Sequence, residues 1–423
     1  MRQHVDYLAG QIGARPTGSD PEKAAAAYIA EQFHDAGLVD VAIEPVDVIG
    51  FDYSTCHLAC PGTAPAMKLS SHPARFCGST DGTRRLALRY LDSLDDARWD
   101  RMAGQCVAFW GACTAEHYIQ AVEADVGALL MGPGILGTGH HTGEMDYAFR
   151  YSTPFEALAA GRQIPLVTTA YWDLAEAVRQ EAGEVELEVD GQTVRKEGYN
   201  IVGRLDGGNA TRRVVLCAHH DSVAGSPGAG DDAAGVAILI EVADRLRNQR
   251  GDVQVDFVSF TAEEVGYMGA HAYSSAHAAT LREADLVLYI DGQGDVIGRT
   301  ILHVTGDEPL RQFVRECVAS AGVPAEVRAY VGGLDHSVLM AKHRMPGVWM
   351  QRPPQLYWHT RFDGPAAVSE KPMQEGAKIF TEIIRQLDTA EVASLGERLE
   401  DATVEGIRAH ARQVHPQLTE LLA

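Results

Sequence analysis

The sequence predicts an α/β protein: a mainly parallel mixed sheet flanked by helices, with a smaller α/β domain inserted into it. Three observations carry that prediction. Residues 214–218, 255–260 and 286–290 are short, near-continuous apolar runs of the kind buried on both faces of a parallel sheet. From about residue 195 onward such runs alternate with helical patterns, and between about 56 and 194 the texture changes to a second strand-helix-strand series.

The elements follow in order. Ser19 and Asp20 offer caps, Pro21 suits a first helical position and Glu22 completes a Ser-x-x-Glu box, so a helix opens there. Ala25, Tyr28, Ile29, Phe33 and Ala36 share one face of it, and Gly37 ends it. In the middle block, residues 105–110, 127–131 and 164–169 read as strands and the stretch near 116–126 as a helix. The Gly/His-rich stretch 132–143 reads as an exposed loop in which His140 and His141 are solvated. Because the flanking sequence must join to complete one sheet, residues 1–55 and 195–388 form one domain and 56–194 an insertion, followed by a charged helical tail over 389–423. There is no internal repeat and no low-complexity tract.

Composition narrows the function. The 423 residues hold 36 Lys+Arg against 58 Asp+Glu, a formal charge of −22, which repels phosphate backbones and anionic lipid. Nucleic acid and membrane surfaces are therefore excluded as main partners. The longest apolar stretches, such as 236–240, end far short of the ~20 residues of a membrane span. Residues 1–6 lack the apolar stretch of an export signal, and seven cysteines (Cys56, Cys60, Cys77, Cys106, Cys113, Cys217 and Cys317) have odd number and uneven spacing with no paired CxxC, so a reducing cytoplasm is expected. Oligomeric state has no signature in the sequence.

The chemistry lies at strand ends. Residues 214–222, VVLCAHHDS, run from a buried strand into polar residues at its carboxyl end, where open α/β sheets place their sites. Residues two apart in extended chain share a face, so His219 and Asp221 point the same way, and a carboxylate there suits the second nitrogen of a metal-bound histidine. A polar strand end with a satisfied histidine explains this fragment equally well when it is taken alone. Residues 228–235, GAGDDAAG, open a helix whose Val236, Leu239, Ile240, Ala243 and Leu246 are spaced for burial; an N-cap needs one aspartate, and Asp231 with Asp232 makes two. Glu263 and Glu264 follow the strand 255–260, Asp291 ends the strand 286–290, and His359 ends the aromatic run Tyr357-Trp358. A parallel sheet gathers such ends along one edge, and with them His219, Asp231, Glu264, Asp291 and His359. Two imidazoles and three carboxylates suit zinc, and a shared carboxylate favours two ions. Two Zn²⁺ balance three carboxylates plus a bridging hydroxide, which leaves Glu263 free to act as general base.

The motifs AHHDS (218–222), GAGDDAAG (228–235), TAEEVGYMG (261–269), YIDG (289–292) and WHT (358–360) resemble the co-catalytic di-zinc aminopeptidases and glutamate carboxypeptidases of metallopeptidase clan MH. The likeness covers about residues 1–52 and 195–388 and implies a fold of the zinc-exopeptidase type. It implies that His219 and Glu264 bind separate zincs, Asp231 bridges, Asp291 and His359 complete the shells, Asp221 orients His219 and Glu263 is the base. The insertion resembles a protease-associated domain in AGQCVAFWG and IPLVTT. Family members often carry an aromatic residue where His220 stands and Tyr where Trp358 stands, so His220 reads as a neighbouring polar contact or a filler. Asp335 and His336, in a segment resembling a family Ser-Asp-His element, read as supporting residues.

The expected activity is a zinc-dependent exopeptidase, an aminopeptidase acting on peptides or peptide-like amides. Four alternatives remain at this level: a carboxypeptidase reading a substrate carboxylate with Arg352 or Arg361, an amidohydrolase of the same fold, a glutaminyl-cyclase-like acyltransferase with one zinc, and a non-catalytic binding protein on the same scaffold. The presence of all five ligands and Glu263 argues against the last.

Overall fold

The computed structural model describes residues 1–111, 113–132, 163–208, 212–248, 251–387 and 398–414. Its strands are β1 (Val39–Cys60), β2 (Met67–Leu69), β3 (His72–Pro73), β4 (Arg84–Leu91), β5 (Cys106–Trp110), β6 (Ala128–Gly132) and β7 (Leu166–Thr168). They continue with β8 (Glu184–Leu205), β9 (Arg212–His219), β10 (Val253–Phe260), β11 (Leu286–Ile290), β12 (Thr300–Thr305), β13 (Ala325–Ala329) and β14 (Gly347–Gln351). All join one hydrogen-bonded array in the order β13-β12-β14-β11-β9-β10-β8-β4-β5-β6-β7-β3, with β1 beside β8 and β2 beside β1. The centre, β10-β9-β11-β14, is parallel, while β8 and β12 flank it antiparallel, so the sheet is mixed.

Side-chain alternation shows why the middle strand is apolar throughout. Val214, Leu216 and Ala218 face one apolar cluster and Val215 and Cys217 face another, all of them fully buried. The first cluster is covered by α1 (Asp20–Asp35) and by helices Ala234–Leu246, Glu308–Ala321 and Glu370–Leu387; the second by helices Met268–Ala276, Asp335–His343 and Asp401–Val414. The last of these belongs to the charged tail, yet Leu399, Val404, Ile407 and Ala411 pack into the core. A separate apolar cluster runs from Leu58 to Val189 and includes Val107, Phe109, Leu129 and Leu187.

α1 begins as its sequence dictates, with Ser19 Oγ accepting from Glu22 N. The second half of the expected capping box is not made: Ser19 N donates to Pro16 O, and Glu22 is fully buried and turns toward the sheet. β1 and β8 are 22 residues each and pair antiparallel from Val39↔Arg204 to Ala59↔Glu186. Both points at which the sequence changes texture, near 55 and 195, lie inside this ribbon. His140, His141 and most of the expected loop 132–143 fall outside the described residues. Among the described residues no helix is long and apolar enough to cross a membrane.

Candidate metal centre

The carboxyl ends of β9, β10 and β11 deliver the predicted residues to one place. His219 is the last residue of β9; its Nε2 lies 3.0 Å from Asp231 Oδ1 and 3.8 Å from Asp291 Oδ1. His359 Nε2 lies 3.1 Å from Asp231 Oδ2 and 3.0 Å from Glu264 Oε2. The two oxygens of Asp231 thus face different histidines. Donor atoms fall into two buried groups, His219 with Asp232 and Asp291, and Asp231 with Glu264 and His359, each group within 4.8 Å. Asp232 is close to the first group, but its Oδ1 accepts from Gly235 N at 3.1 Å. That bond occupies one oxygen of Asp232; the other stays buried beside the first group without a hydrogen-bond partner.

Asp221 fixes more than one neighbour. His219 Nδ1 lies 3.4 Å from Asp221 Oδ1 and 3.2 Å from its backbone oxygen, which leaves Nε2 to face the other donors. The same carboxylate accepts from Glu263 N at 3.2 Å, from Glu264 N at 3.3 Å and from Thr17 Oγ1 at 2.8 Å. One aspartate therefore sets the histidine and the glutamate pair together.

Other supports have no local signal in the sequence. Asp363 Oδ1 accepts from Gly230 N at 2.8 Å and Oδ2 from Asp231 N at 3.2 Å, which holds the turn that presents Asp231. Burial pushes the Asp363 carboxyl up to about 7. Arg15 is fully buried and donates to the carbonyls of Leu8, Gly13, His220, Pro227 and Gly228, tying the start of the chain to both site loops. His220 is neither filler nor ligand: its Nδ1 meets Ser259 Oγ at 3.0 Å and its Nε2 meets Glu22 Oε1 at 2.9 Å. Asp335 and His336 support from behind. Tyr289 OH lies 3.4 Å from both Asp291 Oδ2 and Asp335 Oδ2, and the His336 ring stacks on Tyr289 at 4.8 Å.

The donors open onto a cleft of about 500 Å³, with Asp231, Glu263, Glu264, Asp291 and His359 as its polar floor and Leu334, Trp349 and Trp358 among its walls. Neither arginine raised for a carboxypeptidase lines it. Arg352 donates to Asp295 O and Thr300 Oγ1, and Arg361 lies over the Phe362 ring. Burial raises the carboxyls of Glu263, Glu264 and Asp291 above their ordinary range. Burial opposes charge on His359 as well, but Glu264 and Asp231 overcome it and raise the imidazole to about 10. Oε1 of Glu264 and Oδ2 of Asp232 are buried without a hydrogen-bond partner. Converging acids with orphaned oxygens, two imidazoles and no lysine or arginine among the described residues lining the cleft fit divalent cations with nitrogen and oxygen ligands, zinc foremost.

Comparison with known proteins agrees. Residues 200–384 match the model of peptidase family M28. The chain is 34% identical over 114 residues to the probable leucine aminopeptidase 2 of Aspergillus oryzae, a match that covers 26% of this chain and 23% of that protein. It thus spans less than a quarter of the length of that relative. A zinc aminopeptidase from Bacillus subtilis shares the fold with a TM-score of 0.73 at 20% identity, over 94% of this chain and 98% of the other. A peptidase M28 precursor from Shewanella amazonensis does so with a TM-score of 0.75 at 19% identity, over 92% and 93%. Both likenesses establish the central mixed sheet flanked by helices.

Proposed function

We propose that this chain is a zinc-dependent aminopeptidase of the M28 family that hydrolyses peptide or peptide-like amide bonds, with two zinc ions per chain. The observation that carries the reading is Asp231 standing between two donor groups, with Glu263 beside them on the cleft floor. His219, Asp291 and one oxygen of Asp231 would hold one ion; His359, Glu264 and the other oxygen would hold the second. Bound there, zinc supplies Lewis acidity that acidifies a water and polarises the scissile carbonyl.

The chain's own residues do the rest. Glu263, its backbone fixed by Asp221, takes the proton of the attacking water and returns it to the departing amine. Its burial favours holding a proton between those two steps. Asp221 keeps His219 in one ring orientation. The acidic floor offers an α-ammonium the partner that makes its desolvation tolerable, whereas among the described residues no cation lines the cleft to read a C-terminal carboxylate at the scissile position. We further assign residues 56–194 as an inserted protease-associated-like domain, supported by their own apolar cluster, and the cytoplasm as location, supported by seven free thiols.

The test compares a free-amine aminoacyl anilide with its N-acetyl analogue on zinc-loaded protein. Faster cleavage of the free amine is expected. Equal rates would sink the aminopeptidase reading, and preference for an acetylated peptide with a free carboxylate would move it to carboxypeptidase.

A further inference from the structure

The tail helix Asp401–Val414 has no part in the proposed chemistry, yet it touches the segment that leads into the wall of the metal cleft. Its Gly406 and His410, one turn apart on the same face, meet Val331 and Gly332. A Cβ on Gly406 would lie 2.8 Å from Val331 Cγ1, and a Cβ on Gly332 would lie 2.6 Å from the His410 ring, so helix and segment pack with no space for a side chain between them. His410 Nε2 also meets Tyr330 OH at 3.3 Å. From the other side, a Cβ on Gly333 would lie 2.6 Å from the His336 ring. Gly332 and Gly333 hold φ of 140° and 142°, a conformation glycine adopts without strain. Two successive glycines are thus clamped between two imidazoles, and the residue they deliver, Leu334, is a wall of the cleft.

The ring that receives His410 bears on the rest of that wall. The centre of the Tyr330 ring lies 4.9 Å from that of His303 and 5.8 Å from that of Trp349. His303 pairs with Trp349 across β12 and β14, stacks on its indole at 4.7 Å, and accepts from Gln351 Nε2 at 2.6 Å. Trp349 and Gln351 both line the cleft. Burial holds His303 down at about 4 and His336 at about 3, so near neutral pH both rings are uncharged and pack as flat plates. The backbone of Tyr330 is fixed without the tail: its N donates to Val304 O at 3.0 Å, and its O accepts from Thr305 Oγ1 at 2.7 Å. What the tail holds is the Tyr330 side chain and the glycines after it. Loss of His410 therefore loosens the wall and leaves the sheet in place.

With the α-ammonium on the acidic floor, the first side chain of a substrate meets Leu334 and Trp349 as its apolar surroundings. We propose that His410 and Tyr330 are positioning residues for specificity: through them the tail helix fixes the wall of Leu334, Trp349 and Gln351 against which that first side chain packs. The proposal rests on the aminopeptidase reading.

Zinc-loaded wild type, His410→Ala, His410→Gln and Tyr330→Phe are compared on phenylalanyl and alanyl anilides, with zinc content and urea midpoints read alongside. Wild type should favour the phenylalanyl anilide by at least about tenfold in kcat/KM, the discrimination that apolar pockets reach for small differences in bulk. His410→Ala should raise KM for the phenylalanyl anilide at least about fivefold, with its kcat, the zinc content and KM for the alanyl anilide within about twofold of wild type. His410→Gln, which again offers a nitrogen to Tyr330 OH, should restore part of the loss, and Tyr330→Phe, which keeps the ring, should lie between. An unchanged ratio between the two substrates in His410→Ala overturns the proposal, and a variant that slows both equally with a lowered urea midpoint does so too, since that marks a merely structural contact. Should His410→Ala not fold, Tyr330→Phe decides, and an unchanged ratio there overturns the proposal. Failure of the aminopeptidase reading shows separately, as no turnover of either anilide by wild type. Calorimetric binding of phenylalaninamide and alaninamide to wild type and His410→Ala then decides the wall: a loss confined to phenylalaninamide supports it, and equal binding by the two proteins overturns it.

Discussion

Asp363→Ala removes the carboxylate that receives two consecutive backbone N–H groups, Gly230 at 2.8 Å and Asp231 at 3.2 Å. The side chain is buried, with Asp363 3% exposed, so water does not replace it without opening the loop. A hydrogen bond to a charged group contributes about 1.5–3 kcal/mol, and a buried donor left unmade costs about 1–3 kcal/mol. Gly230 is only part-buried, so a loss near the low end for both, about 3 kcal/mol, is expected. At about 1.4 kcal/mol per factor of ten, that is roughly a hundredfold in the population of the turn that presents Asp231. Zinc affinity at the shared carboxylate should fall by about 10–100-fold. Graded chelator titration of zinc-loaded wild type and variant, reading residual metal per chain, measures the effect, and urea midpoints of the metal-free proteins measure the scaffold separately. Asp363→Asn keeps the shape and one acceptor but turns an NH₂ toward the second amide, so it should fall between the two. An Asp363→Ala protein that holds zinc within twofold of wild type refutes the reasoning.

Other expectations are equally direct. Glu263→Gln should lower turnover by at least about 10²-fold with metal content nearly unchanged, and loss of zinc would instead make Glu263 a ligand. Protein purified without chelator should carry about two zincs per chain, reduced toward one in His359→Ala; a wild-type stoichiometry fixed at one with full activity contradicts the two-ion site. His271, with both ring nitrogens buried and unpartnered, is lowered by burial from 6.5 to about 4. A depressed histidine contributes stability that is present above its unfolded pKa and is lost as pH falls toward the folded one. His271→Leu should therefore raise the urea midpoint at pH 7 and flatten its decline between about pH 6.5 and 4. Identical slopes in the two proteins would contradict that assignment.

The strands and the gathering of His219, Asp231, Glu264, Asp291 and His359 in one place are legible in the sequence because each signal is local. A buried strand is a run of apolar residues, and its end is marked where charge begins, as at His219, Glu264 and Asp291. What holds those donors was not legible, because it is contributed across the chain. Arg15 reaches Gly228, and Asp363 reaches Gly230, through contacts that only the closed fold creates. Glu22 shows how a local rule misleads. Its spacing from Ser19 fits a capping box, but its carboxylate is used by His220, 198 residues away, so the same residue that makes the motif complete is unavailable to it. Arg352 fails in the opposite way: near His359 in sequence, it is turned to Asp295 and Thr300 by the course of the loop.

The long ribbon has a consequence for how such a chain tolerates additions. Asp52 and Gln192 face each other across it, as do Phe51 and Thr193, so the polypeptide leaves the peptidase sheet and re-enters it at a single cross-strand pair. Everything between behaves topologically as the loop of one hairpin. The entropy of closing a loop rises only by about 0.6 kcal/mol for each doubling of its length, and a folded unit whose ends already lie one strand apart pays less still. A two-residue Asn-Gly turn joining a hydrogen-bonded facing pair of the ribbon should therefore close the hairpin in the same register as the whole middle block does. Deletion series that step outward along these pairs would trace how far the ribbon must run before the peptidase sheet stands without it.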